Sequence, residues 1–328
     1  MSKTSKKKQR RTSRNLILLL LISIIMLGTS TYAWFTANKV VTINSIDVKV
    51  EASNGLQIST DANKWKSIIT NVDIASGYTD HKNQLPSYVT AVSTDGTVDS
   101  TKSQLKMYKG TVATDQATGN YTLTTSLENE AAGSTGNFVA FDVFLRVDSA
   151  KTIYLTSQSN VYAKEGTEDK GLKNSARVGF VKLGNAVSTA STASLIALNN
   201  PAAKAIIWEP NIDGHTAIVT DQVASEYGIT LGVGERTAYR GIKNVIPTAV
   251  DLKNTVNGTD TTNTSSVTPD IATTVANPDY TEAFDLEAGV TKMRIYMWIE
   301  GQDIDCENYA TGSDITFNLQ FSTESSGA

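Results

Sequence analysis

The sequence predicts an all-β protein, an antiparallel β-sandwich of the jelly-roll type with long polar insertions and a few short helices. Three observations carry that expectation. Several segments alternate apolar and polar residues with period two, as half-buried strands do. Turn dipeptides such as Asn54-Gly55, Asp95-Gly96 and Asp213-Gly214 punctuate the chain. Long amphipathic helical patterns are scarce.

The clearest strand is 314–321 (DITFNLQF), with Ile315, Phe317, Leu319 and Phe321 on one face. Residues 138–147 (FVAFDVFLRV) place Val139, Phe141, Val143, Leu145 and Val147 on one side. In 292–300 (KMRIYMWIE), Met293, Ile295, Met297 and Ile299 face one way; Arg294, Tyr296, Trp298 and Glu300 face the other. Phe141, Val143, Leu145, Ile295, Met297, Phe317 and Leu319 are therefore expected in the interior. Weaker strands are expected over 43–51, 56–59, 152–156, 177–183 and 205–208. The strands cluster at 40–60, 138–183 and 292–321, and the first and last of these are expected to pair or lie near one another. Short helices are expected over 62–69, 186–198 and 221–227.

Two stretches, about 80–135 and 248–285, are polar and read as insertions. Within 255–268, eight of fourteen residues are Ser or Thr, a composition that cannot bury much apolar surface. No internal repeat is visible, so residues 34–328 read as a single sandwich domain with insertions.

The first 33 residues read differently. Lys3, Lys6, Lys7, Lys8, Arg10, Arg11 and Arg14 precede an almost wholly apolar run from Leu16 to Leu27, and no acid is present. Thr31 and Ala33 then give a small-x-small step. A basic region, a short apolar region and small residues before the cut are the components of a secretory signal peptide. Cleavage is expected near Ala33-Trp34, within about two residues. A retained anchor over 16–35 is the competing reading, but the aliphatic stretch is nearer the length of an export signal than of a span. The chain is thus expected to be secreted, extracellular or at the cell surface, and to meet the membrane only through this segment before cleavage. Its loss takes the formal charge from −4 to −11, an acidic surface that disfavours nucleic acid and anionic membranes as partners. The single cysteine, Cys306, allows no internal disulfide and is expected to be a buried apolar residue.

Motifs for catalysis are absent from the sequence. No HExxH, G-x-S-x-G, Walker A or G-x-G-x-x-G pattern occurs, and the two histidines, His81 and His215, stand apart among polar residues. No enzyme activity and no resident cofactor are expected. The one dense acidic constellation follows 292–300, where Glu300, Asp303, Asp305 and Glu307 form a calcium candidate. Alternate carboxylates on a loop suit the several oxygen ligands of Ca²⁺, although the spacing is not that of an EF-hand and such loops are commonly just solvated.

The junction Gly28-Thr29-Ser30-Thr31-Tyr32-Ala33-Trp34-Phe35-Thr36 resembles the signal-peptide end of the TasA and camelysin-like secreted proteins of Gram-positive bacteria. That resemblance implies processing by a SipW-type signal peptidase and a jelly-roll subunit of extracellular matrix or biofilm fibres. It also implies self-association, or association with a related matrix protein, in which the N-terminal strand of one subunit completes a sheet of the next. Phe35, Val40, Val41 and Ile43 are the donor-strand candidates, with the ordinary first strand of the same domain as the alternative. A surface adhesin or glycan-binding protein using the long loops is the second functional expectation.

Overall fold

A computed structural model describes residues 41–51, 55–94, 96–114, 121–203, 205–211, 214, 250–251, 271–272, 281–301, 305–306 and 314–325. In chain order the strands are β1 (Val41–Val50), β2 (Gln57–Ser59), β3 (Ile68–Ile69), β4 (Tyr88–Val89), β5 (Ala91–Val92), β6 (Val98–Asp99), β7 (Gln104–Leu105), β8 (Met107–Thr114) and β9 (Tyr121–Glu128). They continue with β10 (Val139–Val147), β11 (Lys151–Leu155), β12 (Asn160–Ala163), β13 (Ala176–Ala186), β14 (Ala205–Glu209), β15 (Val250–Asp251), β16 (Ile271–Ala272), β17 (Thr281–Leu286), β18 (Gly289–Glu300) and β19 (Asp314–Ser322). The expected strong strands are thus β10, β18 and β19, and all five weaker candidates also form strands.

Two seven-stranded sheets face each other. The first runs β17-β11-β19-β1-β3, with β12 also on β19 and β4 also on β1. The second runs β16-β14-β13-β18-β10-β2, with β5 also on β18. Between them lies the main core, which contains Phe141, Val143, Leu145, Ile295, Met297, Phe317 and Leu319, as the period-two pattern predicts. Phe180, Phe284 and Phe321 meet there edge to face or tilted, with ring centroids 5.5 to 5.8 Å apart, a favoured aromatic arrangement. Cys306 is buried in the same core. The chain is an all-β sandwich.

Pairing is mostly antiparallel, but β1 runs parallel to β19, β14 to β16 and β18 to β5. A tight hairpin would force neighbouring strands antiparallel. β1 and β19 are far apart in sequence, so no such connection constrains them. β1 and β19, from the first and last strand-rich stretches of the sequence, do pair, one of the two arrangements expected.

The outer face of the second sheet departs from the alternation rule. Arg294, Tyr296, Trp298 and Glu300 point away from the main core, yet every residue of β18 is buried. The stretch 80–135 is the reason. It supplies β4 to β9, and its Val92, Leu105 and Met107 pack with Phe138, Ala140, Val181, Leu183, Ile207, Tyr296 and Trp298 in a second cluster. Gln84 holds it down by exchanging backbone bonds with Ala140 of β10 at 2.7 and 3.0 Å. Of the other insertion, only β15, β16 and β17 lie among the described residues.

The helices are shorter than expected or displaced. Residues 62–69 form bends and β3 because Asp61 turns the chain, accepting the amides of Asn63 and Lys64. A helix follows instead at Asn71–Ser76, its start marked by Thr70 donating its amide to Asp73 Oδ2 at 3.1 Å. Within 186–198 only Thr192–Ile196 is helical, capped by Ser191. The expected helix 221–227 lies outside the described residues. The crossing from β17 to β18 requires Gly289, where φ is +115° and a Cβ would stand 2.2 Å from the Ala186 carbonyl oxygen.

Candidate functional site

Of the residues singled out for export and assembly, Ala33, Trp34, Phe35 and Val40 lie outside the described residues. Val41 and Ile43 are in β1, seated in their own sheet. Val41 is fully buried and pairs with Val89; Ile43 is half-buried and pairs with Ile315. The ladder shifts register between Ile43 and Ser45, which leaves Asn44 as the extra residue of a bulge. Beyond it, Ile46, Val48 and Val50 turn into the core. β1 is therefore an interior strand divided into two segments. Its first three residues meet β4 and the start of β19; the rest meets β3 and the length of β19. On the β3–β4 side, Ile43 donates to Ser87 O at 3.3 Å, Ile46 to Asn71 Oδ1 at 2.8 Å and Val50 to Ser67 O at 2.8 Å. Asn71 thus stands in for a neighbouring strand where β3 and β4 leave a gap.

The acidic candidates are only partly described. Glu300 ends β18, buried, and its carboxylate accepts the Trp298 indole N–H at 3.0 Å. Asp305 is also buried; Asp303 and Glu307 lie outside the described residues. Among the described residues no group of three His, Cys, Asp or Glu side chains is placed to hold a metal ion. His81 accepts the Asn83 amide through Nδ1 at 3.2 Å and meets the Tyr78 ring edge-on. His215 is outside the described residues. Among those residues, no helix is long and apolar enough to cross a membrane.

Among the described residues, the densest arrangement of ionisable groups is one not singled out from the sequence. It lies on the outer face of the second sheet, where Asp142 of β10 is the cross-strand partner of Arg294 of β18. Arg294 Nη1 donates to Asp142 Oδ1 at 2.7 Å, and the two side chains are only 5% and 4% exposed. Arg294 Nε and Nη2 both reach Glu130 Oε2, and Nη2 also donates to the Lys82 carbonyl at 2.8 Å. Tyr296 donates to the other oxygen of Glu130, and Gln104 donates to Oε2. The Tyr78 hydroxyl donates to Asp142 Oδ2 at 2.6 Å, and the Asn83 side chain accepts the Asp142 amide. Lys292 lies 3.4 Å from Asp142 and donates to the Ile196 carbonyl, in the last turn of the short helix. Two cations face two carboxylates, with the tyrosines and amides occupying further sites. The groups of this network bind one another, which holds them in one geometry.

The electrostatics follow. Burial pushes the Asp142 carboxyl up, but Arg294, Lys292 and the hydrogen bonds from Tyr78 and Arg294 outweigh it and hold it below the ordinary carboxylate value. Burial works against the Arg294 charge, but Asp142 and Glu130 more than offset it, so the guanidinium stays charged. Burial and the Asp142 charge push the Tyr78 phenol up; burial and Glu130 do the same to Tyr296. A depressed carboxyl stabilises the fold above its unfolded value of about 3.9, and that contribution disappears as pH falls through the lower folded value. Urea unfolding between pH 3 and 7 is expected to show stability falling below about pH 4. Asp142→Asn should be less stable at pH 7 and have a shallower acid slope; an unchanged slope would exclude Asp142 as a source of the acid sensitivity.

Comparison with protein-family models, with curated proteins and with solved structures returned no match, so no family is assigned to the chain on that ground.

Proposed function

We propose that the chain is an exported structural protein of the cell surface or extracellular matrix, without enzyme activity, whose copies assemble into fibres through the N-terminal strand. The observation that carries this reading is the division of β1. Val41 to Ile43, which follow the export segment after seven residues, fill an interior position of a sheet, and a bulge at Asn44 separates them from the segment anchored by Ile46, Val48 and Val50. The seat beside Val89 and Ile315 accepts Val41 and Ile43 of the same chain. It presents the same surface to those residues from another copy. Exchange keeps every contact and changes only which chain supplies them, so local concentration decides the outcome. The basic and apolar leader supports export, and the junction resembling the TasA and camelysin-like proteins supports a matrix role. The ionisable cluster on the second sheet supports a structural rather than a catalytic use, because its groups bind one another.

Protein beginning at Trp34 should form filaments visible by electron microscopy. A variant beginning at Asn44 keeps Ile46, Val48 and Val50 and should remain folded but sediment as a monomer. A peptide of residues 34–43 should bind that variant in trans. Filaments from the shortened chain would overturn the mechanism, as would its failure to fold.

A further inference from the structure

The two terminal strands of the described chain lie side by side and point the same way. Eight residue pairs join them, from Thr42 with Asp314 to Val50 with Phe321. The direction of pull at each end follows from this. Tension on the N-terminal side draws β1 backwards from Val41, and tension on the C-terminal side draws β19 forwards from Ser322. The two forces are opposed and lie along the strands. The β1–β19 hydrogen bonds are therefore loaded together in shear. Antiparallel terminal strands with both ends at one edge would instead unzip, each bond breaking in turn.

We propose that β1 and β19 form a mechanical clamp that lets the folded chain bear tension between its ends. Their surroundings fit that role. Ile46, Val48 and Val50 on β1 and Phe317, Leu319 and Phe321 on β19 bury the core side of the ladder, which keeps water from competing for its bonds. The far end is fastened by the Glu51 amide on the Phe321 carbonyl at 2.8 Å and by the Gln320 side-chain amide on the Glu51 carboxylate at 2.9 Å. Neither strand is at an edge. β1 also carries β3 and β4, and β19 carries β11 and β12, so withdrawing either one shears a second ladder as well. The clamp deepens the fibre reading, since a matrix fibre is pulled along its subunits. It is nevertheless a property of one molecule, so its failure and the failure of fibre assembly are read in separate experiments.

Single-molecule force spectroscopy on the chain from Trp34 tests it. With handles at the two chain ends, unfolding should occur at high force and release on the order of 1,000 Å of chain in one step, the extended length between Val41 and Ser322. Forced unfolding is governed by the barrier along the pulled direction, so the same fold should yield elsewhere at lower force. Lys164 supplies that second direction. Its amide bonds the Asp314 carbonyl, so it sits beside the start of β19 and opposite the start of β1. In Lys164→Cys, a handle there and one at the N-terminus would peel the strands from one end; Cys306 is buried and does not compete for attachment. The rupture force in this geometry should be severalfold lower at the same loading rate. Equal forces in the two geometries would overturn the clamp. So would end-to-end unfolding that releases the chain in several low-force steps instead of one.

Discussion

Replacing Arg294 by methionine is expected to lower the unfolding free energy by about 3–5 kcal/mol, because it leaves two buried carboxylates without their shared cation. Asp142 would keep Lys292 and Tyr78, but Glu130 would keep only the neutral donors Tyr296 and Gln104. The loss is not confined to one ion pair. Arg294 also binds the Lys82 carbonyl, so its guanidinium ties the stretch 80–135 to β18 at two separated points, residues 82 and 130. Hydrogen exchange at Asn83, Gln84 and Ala131 should therefore rise more than exchange in β1 or β19. Removing Glu130 as well, in Arg294→Met with Glu130→Leu, should recover some of the loss, since apolar replacement of a whole buried pair is commonly tolerated. Urea unfolding of the parent and both variants gives the comparison. A single variant within about 1 kcal/mol of the parent would mean that the network contributes geometry but little energy.

The same network shows what the sequence could and could not convey. β10, β18 and β19 are legible because one face of each strand is uniformly apolar, and register follows when that face is buried. The second face of β18 does not announce its burial, because Arg294 and Glu300 are charged. A signal is nonetheless present. Asp142 interrupts the apolar run of one strand, while Lys292 and Arg294 share the second face of another, and opposite charges inside otherwise apolar strands point to burial against one another. Glu130, Tyr78 and Gln104 give no such signal, since they come from polar surroundings without periodicity and reach the site only through tertiary packing. Asn71 is similar. Its role as a stand-in strand beside Ile46 depends on a gap between β3 and β4, strands of two residues each. The absence of a helix at 62–69 has a local cause, because Asp61 competes for the backbone amides that would have opened it. Pairing of the first and last strands is expected from the sequence, but its parallel sense is not, since alternation carries no direction.

Phe317→Ala should cost about 3–5 kcal/mol, the range for emptying a buried aromatic site. Phe317 is 1% exposed in the middle of β19, with Ile46 of β1 as cross-strand partner on one side and Val161 of β12 on the other. The two flanking strands hold the backbone in place, so the surroundings can collapse only partly and a cavity remains. The next residue provides the contrast. Asn318 points to the opposite face, where its side-chain amide donates to the Gln158 carbonyl at 2.8 Å. Asn318→Ala removes that single bond and should cost about 1 kcal/mol. Urea unfolding of both variants reads the difference, and an unchanged denaturant slope would show that the folded and unfolded states keep their compactness. Equal losses at the two positions would mean that the sandwich does not bury one face of β19 as described. The Phe317 variant should also loosen β1, because Ile46 loses the ring beside it. Amide exchange at Ile46, which donates across the sheet to Asn71, should then rise ahead of global unfolding, whereas exchange in β10 and β18 should follow the global transition.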